Sequence, residues 1–196
     1  MRYLLSFFVG VLLSASLYAQ SAGDKRSSFS VHAYRSDLRK GVAWDVNYLG
    51  QITGRELKFG LGFLYQGSAY KNTHDTGADK IYMHYMAPQV ALTMVQKHYQ
   101  LQFSGGIGYQ LYRDKSTVYD KPRKVTMSKF AGNLSLSGEY FLSSHWGASA
   151  RVNWLASSSE SYSVKYHNVE WDVESPRAGS GYFGQLSLLF GLNYHF

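Results

Sequence analysis

Apolar and polar residues alternate along most of this chain, and the alternation breaks into eight segments. In the first, over 28–35, Phe29, Val31 and Ala33 stand against Ser30, His32 and Tyr34. The second, over 42–50, sets Trp44, Val46 and Tyr48 against Ala43, Asp45 and Asn47. The third sets Leu57, Phe59, Leu61, Phe63 and Tyr65 against Lys58, Gly60, Gly62 and Leu64. A shorter fourth sets Val90, Leu92 and Met94 against Gln89, Ala91 and Thr93. The fifth is the most regular: odd positions from Tyr99 to Tyr109 are apolar or glycine, and even ones are Gln, Ser or Gly. The sixth opposes Phe130, Leu134, Leu136 and Tyr140 to Ala131, Asn133, Ser135, Ser137 and Glu139. The seventh opposes Trp146, Ala148, Ala150, Val152 and Trp154 to Gly147, Ser149, Arg151 and Asn153. The last puts Leu186, Leu188, Phe190, Leu192, Tyr194 and Phe196 against Gln185, Ser187, Leu189, Gly191, Asn193 and His195. A period of two with contrasting faces means β-strands between two environments.

Eight such strands, each close to the roughly 9–11 residues that a tilted strand needs to cross a bilayer, predict a membrane barrel. The connections agree. Those at 51–56, 96–98 and 142–145 are short, whereas 36–41, 67–80, 113–127 and 156–181 are longer and more polar. Short turns on the periplasmic side and longer external loops are the asymmetry of such barrels. An even strand count places both termini on the periplasmic side. Outward aromatic residues collect at both ends: Tyr48, Tyr99, Tyr140, Trp146, Tyr194 and Phe196 at one, Tyr65, Tyr109, Phe130 and Trp154 at the other. Aromatic belts flanking an aliphatic band are what two membrane–water interfaces select. Pro88 cannot donate to a strand ladder, and it is read as a bulge near the outer rim, which leaves the facing of Tyr82, Met83, His84 and Tyr85 unassigned.

The ending Gly191-x-x-Tyr194-x-Phe196 resembles the C-terminal assembly signal of bacterial outer-membrane β-barrels. The whole pattern resembles the small eight-stranded barrels of the OmpX and OmpA membrane-domain type. That resemblance implies an integral outer-membrane protein, inserted by the barrel-assembly machinery, with roles ranging from anchoring to adhesion and lipid modification. Fold alone does not choose among them.

The chain begins with a positive Arg2, an apolar core over 3–13 and small residues up to Ala19, the marks of a secretory signal peptide over 1–19. The expected barrel domain is 20–196. The fold class is therefore all-β, an eight-stranded antiparallel up-and-down transmembrane barrel preceded by a cleavable leader. There is no Cys, which excludes disulfides, thiolate chemistry and a lipidated cysteine. Seventeen Tyr and four Trp supply the belts. The formal charge of +7 falls to +6 when Arg2 leaves, and in an exported chain it points to anionic lipid or lipopolysaccharide rather than nucleic acid.

An eight-stranded barrel is just wide enough for inward side chains to fill it. Four inward charges, Asp45, Lys58, Glu139 and Arg151, balance, as buried charges should. The expectation is two ion pairs, Lys58–Glu139 and Asp45–Arg151, within a plug of Asn and Gln; the alternative is a narrow gated channel. A lipid A-modifying enzyme would need a nucleophile beside a base. The deacylase type carries His-x-Ser, and none of the seven histidines is followed two positions later by Ser. For the acyltransferase type, Ser68, His74 and Asp75 share one loop, and Ser157–Ser163 with His167 and Glu170 another, in stretches already rich in polar residues. The histidines are scattered without metal-site spacing, so no metal or cofactor is expected and most of them are assigned to the surface or rim.

The third external loop carries Arg113, Lys115, Lys121, Arg123 and Lys124, with Lys129 below, against Asp114 and Asp120. Such side chains suit lipopolysaccharide phosphates, or form an ordinary solvated loop. In the last loop 161–174 alternates well enough to be a hairpin with an edge open to a protein partner, or else the loop folds over the mouth as a lid.

Overall fold

The structure is a computed structural model that describes residues 27–36, 41–53, 57–74, 77–158, 161–174 and 182–196. The expected leader over 1–19 lies outside them. The described residues form ten strands: β1 (Ser27–Ser36), β2 (Gly41–Thr53), β3 (Leu57–His74), β4 (Gly77–Val95), β5 (Tyr99–Val118), β6 (Lys121–Phe141), β7 (Trp146–Ser158), β8 (Ser161–Tyr166), β9 (Val169–Glu174) and β10 (Tyr182–His195). Eight of them, β1 to β7 and β10, pair antiparallel with their neighbours, and β1 meets β10 to close the barrel. The ring is sealed at the bottom by reciprocal backbone bonds between Ser27 and Phe196, at 3.2 and 3.0 Å.

Every segment read from the alternation is a barrel strand, and its two faces are sorted as expected. Val31, Leu61, Leu92, Leu101, Leu136, Val152 and Leu188 are exposed on the outside, while Asn47, Gln89, Gln102, Ser135, Asn153 and Ser187 are buried inside. Directly opposed residues followed once around from Lys58 lead through Arg151 and return to β3 at Ser68, ten residues further on (58 to 68). Eight strands with that stagger tilt by about 40–45° to the barrel axis.

Two expectations are corrected. The stretches 67–80 and 113–127 are not loops. β3 and β4 stay paired up to His74–Gly77, and β5 and β6 up to Val118–Lys121. There the inner face mixes buried Val125 and Met127 with Asp114 while the outer face carries lysines, so the apolar contrast that reveals a strand fades although the ladder continues. The β5–β6 turn is two residues, Tyr119 and Asp120, both with positive φ (49° and 61°), the twist that tight hairpins favour. Pro88 is not at a bulge either. The β4–β5 ladder runs to Met86–Tyr109, lapses over 87–89 and 106–108, and resumes at Val90–Gly105 with equal counts on both strands. Register is preserved, so Tyr82 faces outward and Met83 and Tyr85 point inward. A register irregularity lies instead at Gln51–Thr53 in the β2–β3 pair.

The segment 161–174 is a hairpin. β8 continues the sheet by pairing Ser163–Tyr166 with Arg123–Thr126 of β6, and β9 pairs with β8. Beyond the belt, β3, β4, β5, β6, β8 and β9 therefore form a six-stranded wall on one side of the barrel.

Candidate functional site in the lumen and on the wall

The lumen is filled from the bottom upward. Glu139 on β6 accepts from His195 Nε2 at 2.5 Å, from Gln100 Nε2 at 2.5 Å and from the Asn193 amide. Above it, His32 on β1 bridges Asp45 Oδ1 at 2.6 Å and Ser149 Oγ at 2.7 Å. Ser149 donates to Asn193 Oδ1 at 3.0 Å, which joins the two groups. Arg151 Nη1 donates to Asp45 Oδ2 at 3.1 Å. Asn47, with its amide oxygen turned to the guanidinium, accepts from Nη2 at 3.1 Å. Higher again, Gln66, Asn153, Asn133 and Gln89 form a chain of amides, capped by Tyr85 donating to Asn133 Oδ1 at 3.0 Å. Beside the amides an apolar layer of Leu64, Tyr85, Ala87, Ala131 and Leu155 packs across the bore.

The direction of these bonds follows from what each group can do. The Glu139 carboxylate only accepts, so Asn193 presents its amide nitrogen there and its oxygen to Ser149. The single hydroxyl proton of Ser149 is thereby committed to Asn193. Ser149 can then only accept from His32, whose other nitrogen faces a carboxylate.

Asp45 and Arg151 thus meet as the inward charge pattern suggested, whereas Glu139 does not pair with Lys58. Glu139 instead has Gln100 directly opposite it and takes His195 from β10, two strands away by way of β7. Two histidines complete the network, while His98, His145 and His167 are exposed, in keeping with the assignment of most histidines to the surface or rim. His32 and His195 are buried, and the signal that locates them is their place on the polar, inward face of β1 and β10. Asp45, His32 and Ser149 have the order of a hydrolase triad. Ser149, however, sits in mid-strand with 8% of its surface accessible, under Arg151 and above Glu139. Among the described residues no three His, Asp or Glu side chains gather as a metal site.

At the terminus, Phe196 stacks on Tyr48 with ring centroids 6.4 Å apart, and Tyr194 lies against Trp146 at 5.0 Å. A Cβ added at Gly191 would overlap the Val31 carbonyl oxygen, so this position accepts only glycine. On the wall, Lys115 and Lys124 are directly opposed on the outer face, and Arg113 lies opposite Thr126 below them. Lys121 and Arg123 fall on the other face by alternation, next to the turn. On the face away from Lys115 and Lys124, Ile81, Met83, Val125, Met127 and Val164 are buried. Burial raises the Tyr112 phenol above its usual range, with Tyr70, Asp114 and Asp79 adding to the shift and Arg123 opposing it.

A closed, side-chain-filled, antiparallel eight-stranded barrel with an aliphatic band between aromatic belts is the architecture of small outer-membrane barrels. Solved structures of that kind share it. The chain is similar to a major outer membrane protein of Thermus thermophilus, with TM-score 0.67, 10% identity, and coverage of 88% of this chain and 99% of that one. It is similar to the attachment invasion locus protein Ail of Yersinia pestis, solved with the heparin analogue sucrose octasulfate, with TM-score 0.56, 9% identity, and coverage of 88% and 99%. The Escherichia coli outer membrane protease OmpT matches with TM-score 0.50 and 13% identity over 80% of this chain and 64% of that one. At such identities the likeness is one of fold. No protein family's sequence profile matches the chain, and no curated protein matches it.

Proposed function

We propose that this chain is an integral outer-membrane protein whose barrel is a closed anchor and whose working part is the external wall. In this reading the leader is removed after Ala19, both termini are periplasmic, and Gly191, Tyr194 and Phe196 are read by the barrel-assembly machinery. The wall contacts outer-membrane lipid and lipopolysaccharide, through a basic surface that includes Arg113, Lys115, Lys121, Arg123 and Lys124. It offers a protein partner the open edge of β9, where Val169 and Trp171 are exposed. The observation that carries the reading is the division of β5: Tyr99–Val118 is 20 residues long, about twice what a span requires, and the half beyond Tyr109 stands in the wall.

The absence of Cys makes the test clean. A cysteine placed at Tyr119, on the β5–β6 turn, is expected to react with a membrane-impermeant maleimide on intact cells. A cysteine at Ser144, in the opposite turn, is expected to stay unlabelled until the outer membrane is opened. The reverse pattern would place the wall in the periplasm and end the proposal. A second reading, a lipid-modifying hydrolase, is favoured only by the Asp45–His32–Ser149 chain. It requires covalent labelling of Ser149 by a fluorophosphonate, lost in S149A.

A further inference from the structure

The register of the wall aligns lysines that are far apart in sequence. Lys71 on β3 lies directly opposite Lys80 on β4, Lys80 opposite Lys115 on β5, Lys115 opposite Lys124 on β6, and Lys124 opposite Lys165 on β8. All five are exposed, and strand alternation puts them on the outer face, the side that lower down meets lipid. At about 4.8 Å per strand the row extends roughly 19 Å around the wall. Its far end is closed by Glu170 on β9, whose Oε2 is 3.7 Å from Lys165 Nζ. Among the described residues no carboxylate lies within 4.0 Å of Lys71, Lys80, Lys115 or Lys124. Like charges directly opposed across strands work against pairing. Glu170 relieves only the end of the row at Lys165, and the contacts among Lys71, Lys80, Lys115 and Lys124 leave room for an anion from outside. A cleft of about 410 Å³ between Lys80, Lys115, Lys124 and Lys165, edged by Thr117 and His167, gives that anion a recess.

We propose that this row binds the phosphorylated saccharide of an outer-leaflet lipopolysaccharide molecule lying against the barrel. Height and facing select that occupant. The row stands six residues above the Tyr109–Phe130 pair of the outer belt (109 to 115), which on strands tilted by 40–45° is roughly 15 Å beyond the belt. Acyl chains end below it, and a phospholipid headgroup brings one phosphate at the level of the belt. A glycolipid anchored in the outer leaflet carries its phosphorylated sugars upward past the belt, along the side of the wall. The row faces sideways into that layer and away from the barrel mouth. One exposed lysine contributes little; five at strand spacing match a ligand with several phosphates. The proposal rests on the outward orientation of the wall argued above.

The test uses the full mature protein in phospholipid vesicles with and without lipopolysaccharide. Wild type is expected to hold lipopolysaccharide at least tenfold more tightly than K115E/K124E or K80E/K165E, with all three showing the same heat-modifiable mobility of a folded barrel. Removing phosphate from the lipopolysaccharide is expected to weaken wild-type binding by a similar factor. Equal retention by the charge-reversal variants, or by the dephosphorylated ligand, would overturn the proposal. So would soluble polyphosphate that binds as tightly as lipopolysaccharide, which would make the row a site for a free polyanion. If Tyr119→Cys labels from outside while these binding differences are absent, the row assignment fails and the orientation stands. If it labels only from the periplasm, both fail.

Discussion

Arg151 and Asp45 are costly to separate, because both are buried and the guanidinium has its carboxylate partner in the middle of a closed bore. Removing the acid leaves a cation without compensation. Asp45→Ala is expected to destabilise the barrel by about 3–5 kcal/mol, the usual penalty for orphaning a buried charge. His32 adds to this, since its Nδ1 loses its acceptor in the same variant. Urea unfolding in detergent micelles or thin vesicles measures the loss, and a cost below about 1 kcal/mol would mean that water already reaches Arg151. The alternation on β1, β2, β7 and β10 makes the inward position of all these residues legible. Which of them touch is not legible, because contact across the bore depends on register and on the stagger of ten residues. Neither is written in the period of two. Hence the pattern yields Asp45–Arg151 and misses the true partners of Glu139, while His32 and His195 hide among polar neighbours.

At the scale of elements the least regular seam is β4–β5. Pro88 withholds one ladder donor, yet register survives the lapse. The glycines opposite explain how. A Cβ at Gly106 would overlap the Pro88 carbonyl oxygen and the Gln89 side chain, and one at Gly108 would overlap the Met86 carbonyl oxygen. The two backbones approach closely where they cease to pair. Gly108→Ala is therefore expected to cost about 1–3 kcal/mol by overpacking. Gly132→Ala, whose nearest heavy atom would be 3.9 Å from the new Cβ, is the control expected to fold like wild type. Thermal loss of heat-modifiable mobility compares them. In the sequence this seam shows only as an awkward proline. The β3–β4 and β5–β6 extensions read there as loops, because an inner face of mixed polar and apolar residues, such as Asp114 beside Val125, blurs the alternation. The hairpin over 161–174 is visible through Tyr162, Val164, Val169, Trp171 and Val173, which keep an apolar side.

For the molecule as a whole, the fold is legible because a bilayer forces a two-sided pattern on every strand that crosses it. What the bore transmits is set by its contents. Hydrogen-bonded charges, a chain of amides and the Leu64–Tyr85–Leu155 layer succeed one another along it. Planar bilayers containing the purified protein are expected to show no unitary conductance steps, and Arg151→Ala none either. Steps in wild type that vanish in Arg151→Ala would instead establish a gated channel.

The wall rises over β3 to β6 and the β8–β9 hairpin, so the molecule has a front and a back in the plane of the membrane. A cylinder can meet its neighbours at any azimuth, but a cylinder with a parapet along one arc cannot. Among the described residues the side of β1, β2, β7 and β10 carries no such wall. On the high side the parapet acts as a spacer, holding neighbours off at a distance set by its own thickness and by whatever coats it. In a crowded outer membrane, lateral packing of this protein is therefore directional, like that of a tile with one raised edge.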